Sequence, residues 1–162
     1  MNIVNKTFKI IESGRPSEKE INLALLVMRV VVAVIFIKFG YGKLFGAPGI
    51  EGFTGMLTML SLPLPGLFAY LVGITELLGG IAILLGVATR FSALGLTVIT
   101  FVAWATVKGF GLGMLTQLPN GDPFGGGVID VFALGLTIAL FIAGPGALSL
   151  SSHLRPTPNS QN

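Results

Sequence analysis

Leu64 to Gly86 is an apolar, glycine-rich run broken by a single charge, Glu76. A helix of that length spans the roughly 30 Å hydrocarbon core of a bilayer. An acidic side chain at such a depth costs roughly 2.5–3.5 kcal/mol on insertion scales, so it persists only with a partner or a task. The chain therefore reads as an integral membrane protein with at least one polar locus inside the membrane.

Composition supports that reading. Hydrophobic residues make up 52% of the 162 and charged residues 10%, and the mean hydropathy is +0.87, far outside the usual soluble range. The net charge of +3 is small and dispersed, which argues against a nucleic-acid partner. There are no cysteines, so thiol nucleophiles, disulfides, thiolate-held iron–sulfur clusters and covalently attached haem are excluded. The single histidine, His153, lies among Ser151, Ser152 and Arg155; alone it supplies neither both axial ligands of a b-type haem nor a conventional zinc site. Electrons, if the protein handles any, must sit on a diffusible carrier or a partner. Met1 to Glu20 has no apolar core followed by a cleavage site, so the first apolar helix is expected to serve as an uncleaved signal anchor.

Four apolar spans are expected, at about 21–40, 64–86, 91–107 and 124–143. Each is close to the length a spanning helix needs. The fold class that follows is all-α, an integral membrane four-helix antiparallel bundle. The short link Val87 to Arg90 makes the second and third spans a hairpin; the other connections are long and rich in glycine and proline. With both termini on one side, that side carries Lys6, Lys9, Arg15, Lys19, Arg90 and Arg155, and the other carries Lys38, Lys43 and Lys108. The positive-inside rule then puts both termini in the cytoplasm of a bacterial cell, with the bundle in its inner membrane. The expected divisions are an N-terminal arm (1–20), in which Ile3 to Ile11 is either interfacial or frayed, the membrane domain (21–147) and a polar tail (148–162).

Helical spacing places the polar residues. Ala69, Gly73, Glu76 and Gly80 share one face of the second span, where small residues permit close packing. Arg29, Ala33, Phe36, Gly40 and Lys43 form a similar stripe on the first. Arg29 and Glu76 lie at matching distances from one side, which predicts an Arg29–Glu76 ion pair near the midplane. Thr97, Thr100, Trp104 and Lys108 line one side of the third span, and Asp130 and Thr137 share a face of the fourth. Lys108, Asp130, Trp104 and Thr100 are thus expected to form an outer polar cluster, with Lys108 and Lys38 placed to neutralise Asp130. Blander roles stand beside these. In these the buried pair only fixes register, Lys38 snorkels to the interface, the threonines join helices, and Asp130 caps its helix. The Gly125–Gly127 run lacks the ending of a phosphate loop.

The segment Gly40-Tyr41-Gly42-Lys43-Leu44-Phe45-Gly46 after Arg29 and Phe36 resembles the first helix and turn of the DoxX family. Leu62-Pro63-Leu64-Pro65 leading to Glu76-Leu77-Leu78-Gly79-Gly80, then Gly86, Thr89 and Arg90, is similar to the family's second helix and Thr-Arg turn. The resemblance runs from Leu23 to Phe141, with Gly40, Lys43, Gly79, Gly80, Thr89 and Arg90 as its motif residues. Many relatives carry a histidine just before the glycine matching Gly40; Phe39 stands there in this chain, so no role of that histidine carries over. The family name derives from a subunit associated with thiosulfate:quinone oxidoreductase, which implies an accessory of membrane oxidoreduction.

Three functions compete. In the first, an integral subunit binds quinone without a covalent cofactor; Arg29 and Lys108 polarise the carbonyls, Glu76 or Asp130 exchange protons, and a soluble or membrane redox partner supplies electrons. The second is a non-enzymatic scaffold for a soluble redox or stress-response protein. The third, a small transporter built as a homo-oligomer, is disfavoured because no pair of interrupted helices recurs in two halves.

Overall fold

In the computed structural model, residues 16–107 and 127–153 are described, and every regular element among them is helical. We number the helices α1 (Glu18–Phe45), α2 (Gly49–Met59), α3 (Pro65–Leu85), α4 (Thr89–Val107), α5 (Gly127–Ala143) and α6 (Leu150–His153). Three of them, α1, α3 and α4, are long and apolar enough to cross a membrane, and α5 is a shorter apolar helix. The N-terminal arm through Arg15, the 108–126 segment with Lys108, and the tail beyond His153 lie outside the described residues.

The first helix is much longer than the span expected from hydropathy. Its start is fixed by a reciprocal cap: Glu20 N–H donates to Ser17 Oγ at 3.3 Å, and Ser17 N–H donates to Glu20 Oε2 at 2.7 Å. This is the Ser-x-x-Glu capping box. The helix then runs past Gly40 to Phe45. At 28 residues and 1.5 Å per residue it is roughly 42 Å long, well over the hydrocarbon thickness.

A second departure is α2, which occupies a stretch read as glycine-rich connection. Its apolar face is short: Phe53, Met56 and Leu57 fall at i, i+3 and i+4. Glycines at 49, 52 and 55 masked that periodicity. Leu57 is buried, and the helix packs on α1 and α3.

The long helices run up, down, up and down. α1 packs most extensively on α3 and α4 on α5, with α3–α4 and α1–α5 contacts completing the bundle. α3 shows the proline-in, glycine-out asymmetry of a well-bounded helix: Pro65 opens it and Gly86, at φ 71°, ends it in the left-handed region. A Cβ at Gly86 would also meet the Arg29 guanidinium and Ser149. The α1–α3 seam depends on glycine as well, since a Cβ at Gly40 would fall on the Leu77 backbone and 2.9 Å from the Gly73 carbonyl. The interior is a small cluster of Val32, Phe36, Ile83, Ala93, Leu96, Ala133 and Leu140. Outward-facing residues are apolar on every long helix, among them Val34, Leu78, Phe91 and Ile142. Exposed apolar surface on this scale is what lipid covers.

Candidate functional site

Two ends of the bundle can be distinguished. The turn end holds the start of α1, the 86–88 turn and the 144–149 turn. The loop end holds the 46–64 connection, the end of α4 and the start of α5.

Arg29 belongs to the turn end, and the predicted Arg29–Glu76 pair does not form. Arg29 is 2% exposed, and among the described residues its guanidinium donates to backbone carbonyls alone: Nε to Ile83 O at 2.8 Å, Nη2 to Leu84 O at 2.6 Å, and Nη1 to Pro145 O at 3.2 Å and Leu148 O at 2.6 Å. These are carbonyls at the C-terminus of α3 and in the turn after α5, where helix dipoles favour a cation; Ile83 O also accepts from Gly86 N–H at 3.1 Å. The prediction failed because it treated the helix ends as flush. The first turns of α1 project beyond the end of α3, so Arg29 sits level with Ile83. The overhang is covered by the 144–149 turn, which Asn22 secures by accepting from Ala147 N–H at 2.7 Å.

Glu76 instead pairs with Lys43. The ammonium donates to Oε1 at 2.7 Å and Oε2 at 2.5 Å; the Lys43 side chain is 24% exposed and that of Glu76 6%. The Phe39 and Phe53 rings lie 5.6 and 5.1 Å from the Lys43 nitrogen, within cation–π range. Phe39 thus contributes a ring face to the lysine. Lys43 lies on the same stripe of α1 as Arg29, so its direction was legible. Ending the helix at Gly40 concealed that it is part of the bundle.

This pair lines a cavity of about 520 Å³ toward the loop end. Phe36, Phe39, Phe53 and Phe68 are among its walls, drawn from α1, α2 and α3, and Val98, Ile99, Val102 and Ala103 of α4 face it from the other side. Asp130 of α5 and Thr100 and Thr106 of α4 also line it, and Asp130 is close enough to Glu76 to interact electrostatically. The midplane site and the outer cluster expected as separate layers therefore share one cavity, reached by Glu76, Asp130 and Thr100 but not by Arg29. Trp104 is half-buried in the last part of α4 and is not among the lining residues. Lys38 is exposed and lies beside a shallower recess with Pro48 and Gly52. Thr97 donates to Thr137 Oγ1 at 2.9 Å, which joins α4 to α5.

The remaining motif residues are structural in their contacts. Gly79 lies against Leu96 and Gly80 against Ile37. Arg90 Nη2 donates to Ile142 O at 3.2 Å, a second arginine on a helix C-terminus. Thr89 is buried, and its hydroxyl has no hydrogen-bond partner among the described residues. No cluster suited to a metal ion occurs among the described residues.

The fold and site define a small helical membrane protein whose bundle holds a charged pair at an open, mostly apolar cavity. The chain belongs to the DoxX family, whose model matches residues 24–109. It is 31% identical to the inner membrane protein YqjF of Escherichia coli (strain K12) over 82% of this chain and 93% of that one. It is 33% identical to the inner membrane protein YphA of the same organism over 78% and 86% of the two chains. A Bacillus subtilis (strain 168) relative named "Putative oxidoreductase CatD" is 32% identical over 56% of this chain and 63% of that protein. No solved structure matches the chain.

Proposed function

We propose that this protein is a membrane accessory of an oxidoreductase system that holds a quinone in the loop-end cavity. The observation that carries this reading is the Lys43–Glu76 pair set into an aromatic and aliphatic cavity inside the bundle. Its volume falls within the roughly 300–1,000 Å³ of small-molecule sites, which are mostly apolar with a few placed polar groups. The phenylalanines offer faces to a planar ring, while Lys43 orients an oxygen and Glu76 holds or releases a proton beside it. Bound quinone would carry electrons between the membrane and a partner protein. Arg29, committed to four carbonyls, takes no part, so Lys43 assumes the polarising role expected of it. The name of the Bacillus relative agrees with this class of chemistry. We place the protein in the inner membrane with both termini in the cytoplasm, following its Lys and Arg distribution.

The test is native mass spectrometry of protein extracted in mild detergent. Wild type should carry quinone, and Glu76→Gln and Lys43→Met should lose it while keeping their helical content. Quinone-free wild type that also fails to bind added quinone would end the proposal.

A further inference from the structure

One outward stripe of α1 is apolar except at a single point. Val27, Val31, Val34, Lys38, Tyr41 and Phe45 follow one another at helical spacing, and all are exposed. Lipid covers such a stripe, and a cation within it is costly unless its head reaches the interface or an anion. Among the described residues Lys38 makes no ion pair and no side-chain hydrogen bond. The Tyr41 and Phe45 rings pair at 5.3 Å near the end of the helix, and aromatic side chains of this kind gather at membrane interfaces. Lys38 stands about 10 Å short of the helix end at Phe45. A lysine stem extended toward that end brings its ammonium close to the level of lipid phosphates.

Beside Lys38 the seam between α1 and α2 is hollow. An open, mostly apolar recess of about 470 Å³ is lined by Lys38 and Lys43 of α1 and by Pro48, Gly49 and Gly52 around the start of α2. Gly42 also lines it, and a Cβ there would meet nothing within 4 Å. Lys43 lines both this recess and the loop-end cavity. Glu76 offsets the charge of Lys43, so Lys38 contributes the unbalanced one. We propose that the recess binds the headgroup of an anionic phospholipid, with the phosphate against Lys38 and an acyl chain running along α1 over Val34 and Val31. The phosphodiester supplies an anion to Lys38, and the stripe below supplies an apolar track for the chain. A zwitterionic lipid brings the same phosphate together with its own ammonium, which Lys38 repels. The proposal does not depend on what the loop-end cavity holds.

The test uses the full-length protein, stripped of lipid in mild detergent and titrated with phosphatidylglycerol or phosphatidylethanolamine of identical chains. Binding is read by native mass spectrometry. Phosphatidylglycerol should bind about fivefold more tightly, the weight of one lysine beside anionic lipid. Lys38→Gln should abolish that preference and leave the Tm unchanged, because the side chain is exposed. Lys38→Arg should retain it. Gly42→Leu keeps every charge but puts a side chain into the recess, and should weaken phosphatidylglycerol binding by a similar factor. Equal binding of the two lipids by wild type, or a preference that survives Lys38→Gln, overturns the proposal. A preference lost with Lys38 but untouched by Gly42→Leu also overturns it, because the lysine then meets phosphate on the open surface and not in the recess.

Discussion

One face of α1 carries two cations, Arg29 at the turn end and Lys43 at the loop end, and the bundle accommodates them differently. Arg29 meets places where helices finish. Around it α3 has just ended and the chain after α5 turns back, so carbonyls with no onward helical bond are available; the arginine fork reaches four carbonyls, of which Ile83 O also accepts from Gly86 N–H. Lys43 faces the body of α3 and the start of α5, where main-chain carbonyls are already bonded along the helix. It therefore needs a carboxylate from a side chain, and Glu76 supplies one. A buried cation is satisfied by backbone at helix C-termini and by an acid elsewhere. The first solution leaves little for a ligand to exploit. The second leaves an ion pair beside a cavity.

The contrast can be broken most directly at Arg29. Arg29→Ala takes the donor from Leu84 O, Pro145 O and Leu148 O, while Ile83 O keeps Gly86 N–H, and should cost more than about 3 kcal/mol. It should appear as a sharp fall in folded yield and in the denaturant midpoint in bicelles. Arg29→Lys should rescue little, because an ammonium cannot reproduce the planar fork. Whatever Arg29→Ala protein folds should keep its ligand affinity. A variant that stayed folded and lost binding instead would mean that the two ends are not separate.

At the loop end the effect on stability is smaller and the effect on the ligand larger. Glu76→Ala strands the Lys43 charge and should cost about 2 kcal/mol, below the range for fully buried pairs because Lys43 is a quarter exposed. The double change Glu76→Gln with Lys43→Met should recover most of that loss in the same unfolding assay. An additive result would show that the pair is not coupled. Gly40→Ala tests the seam between the two ends by placing a methyl on the Leu77 backbone. Overpacking of this kind should lower stability by about 1.5 kcal/mol and displace Lys43 from Glu76, detectable as reduced ligand affinity. The smallest change is expected from Thr97→Val. Loss of its bond to Thr137 should cost about 0.6 kcal/mol, near the average for such bonds in membranes, with ligand affinity unchanged.

The amino-acid sequence determined a good deal of this protein by itself. Apolar runs of bilayer length, the Val87–Arg90 link and the stripes of small residues specified a helical membrane bundle. Helical spacing correctly turned Arg29, Lys43 and Glu76 inward, because the period of a helix is local. The identity of the pair was not legible. Which cation reaches Glu76 depends on how far α1 slides along α3, and that is set by the Gly40 contact with Leu77, by Gly80 against Ile37 and by the overhang capped at Ser17. Hydropathy reports where apolar residues stop, whereas a helix ends where its caps and packing end it. The cavity was hidden for a related reason. It is assembled from the second half of α1, one face of the short helix α2 and parts of α3, α4 and α5, so only tertiary packing brings Glu76, Asp130 and Thr100 into one space.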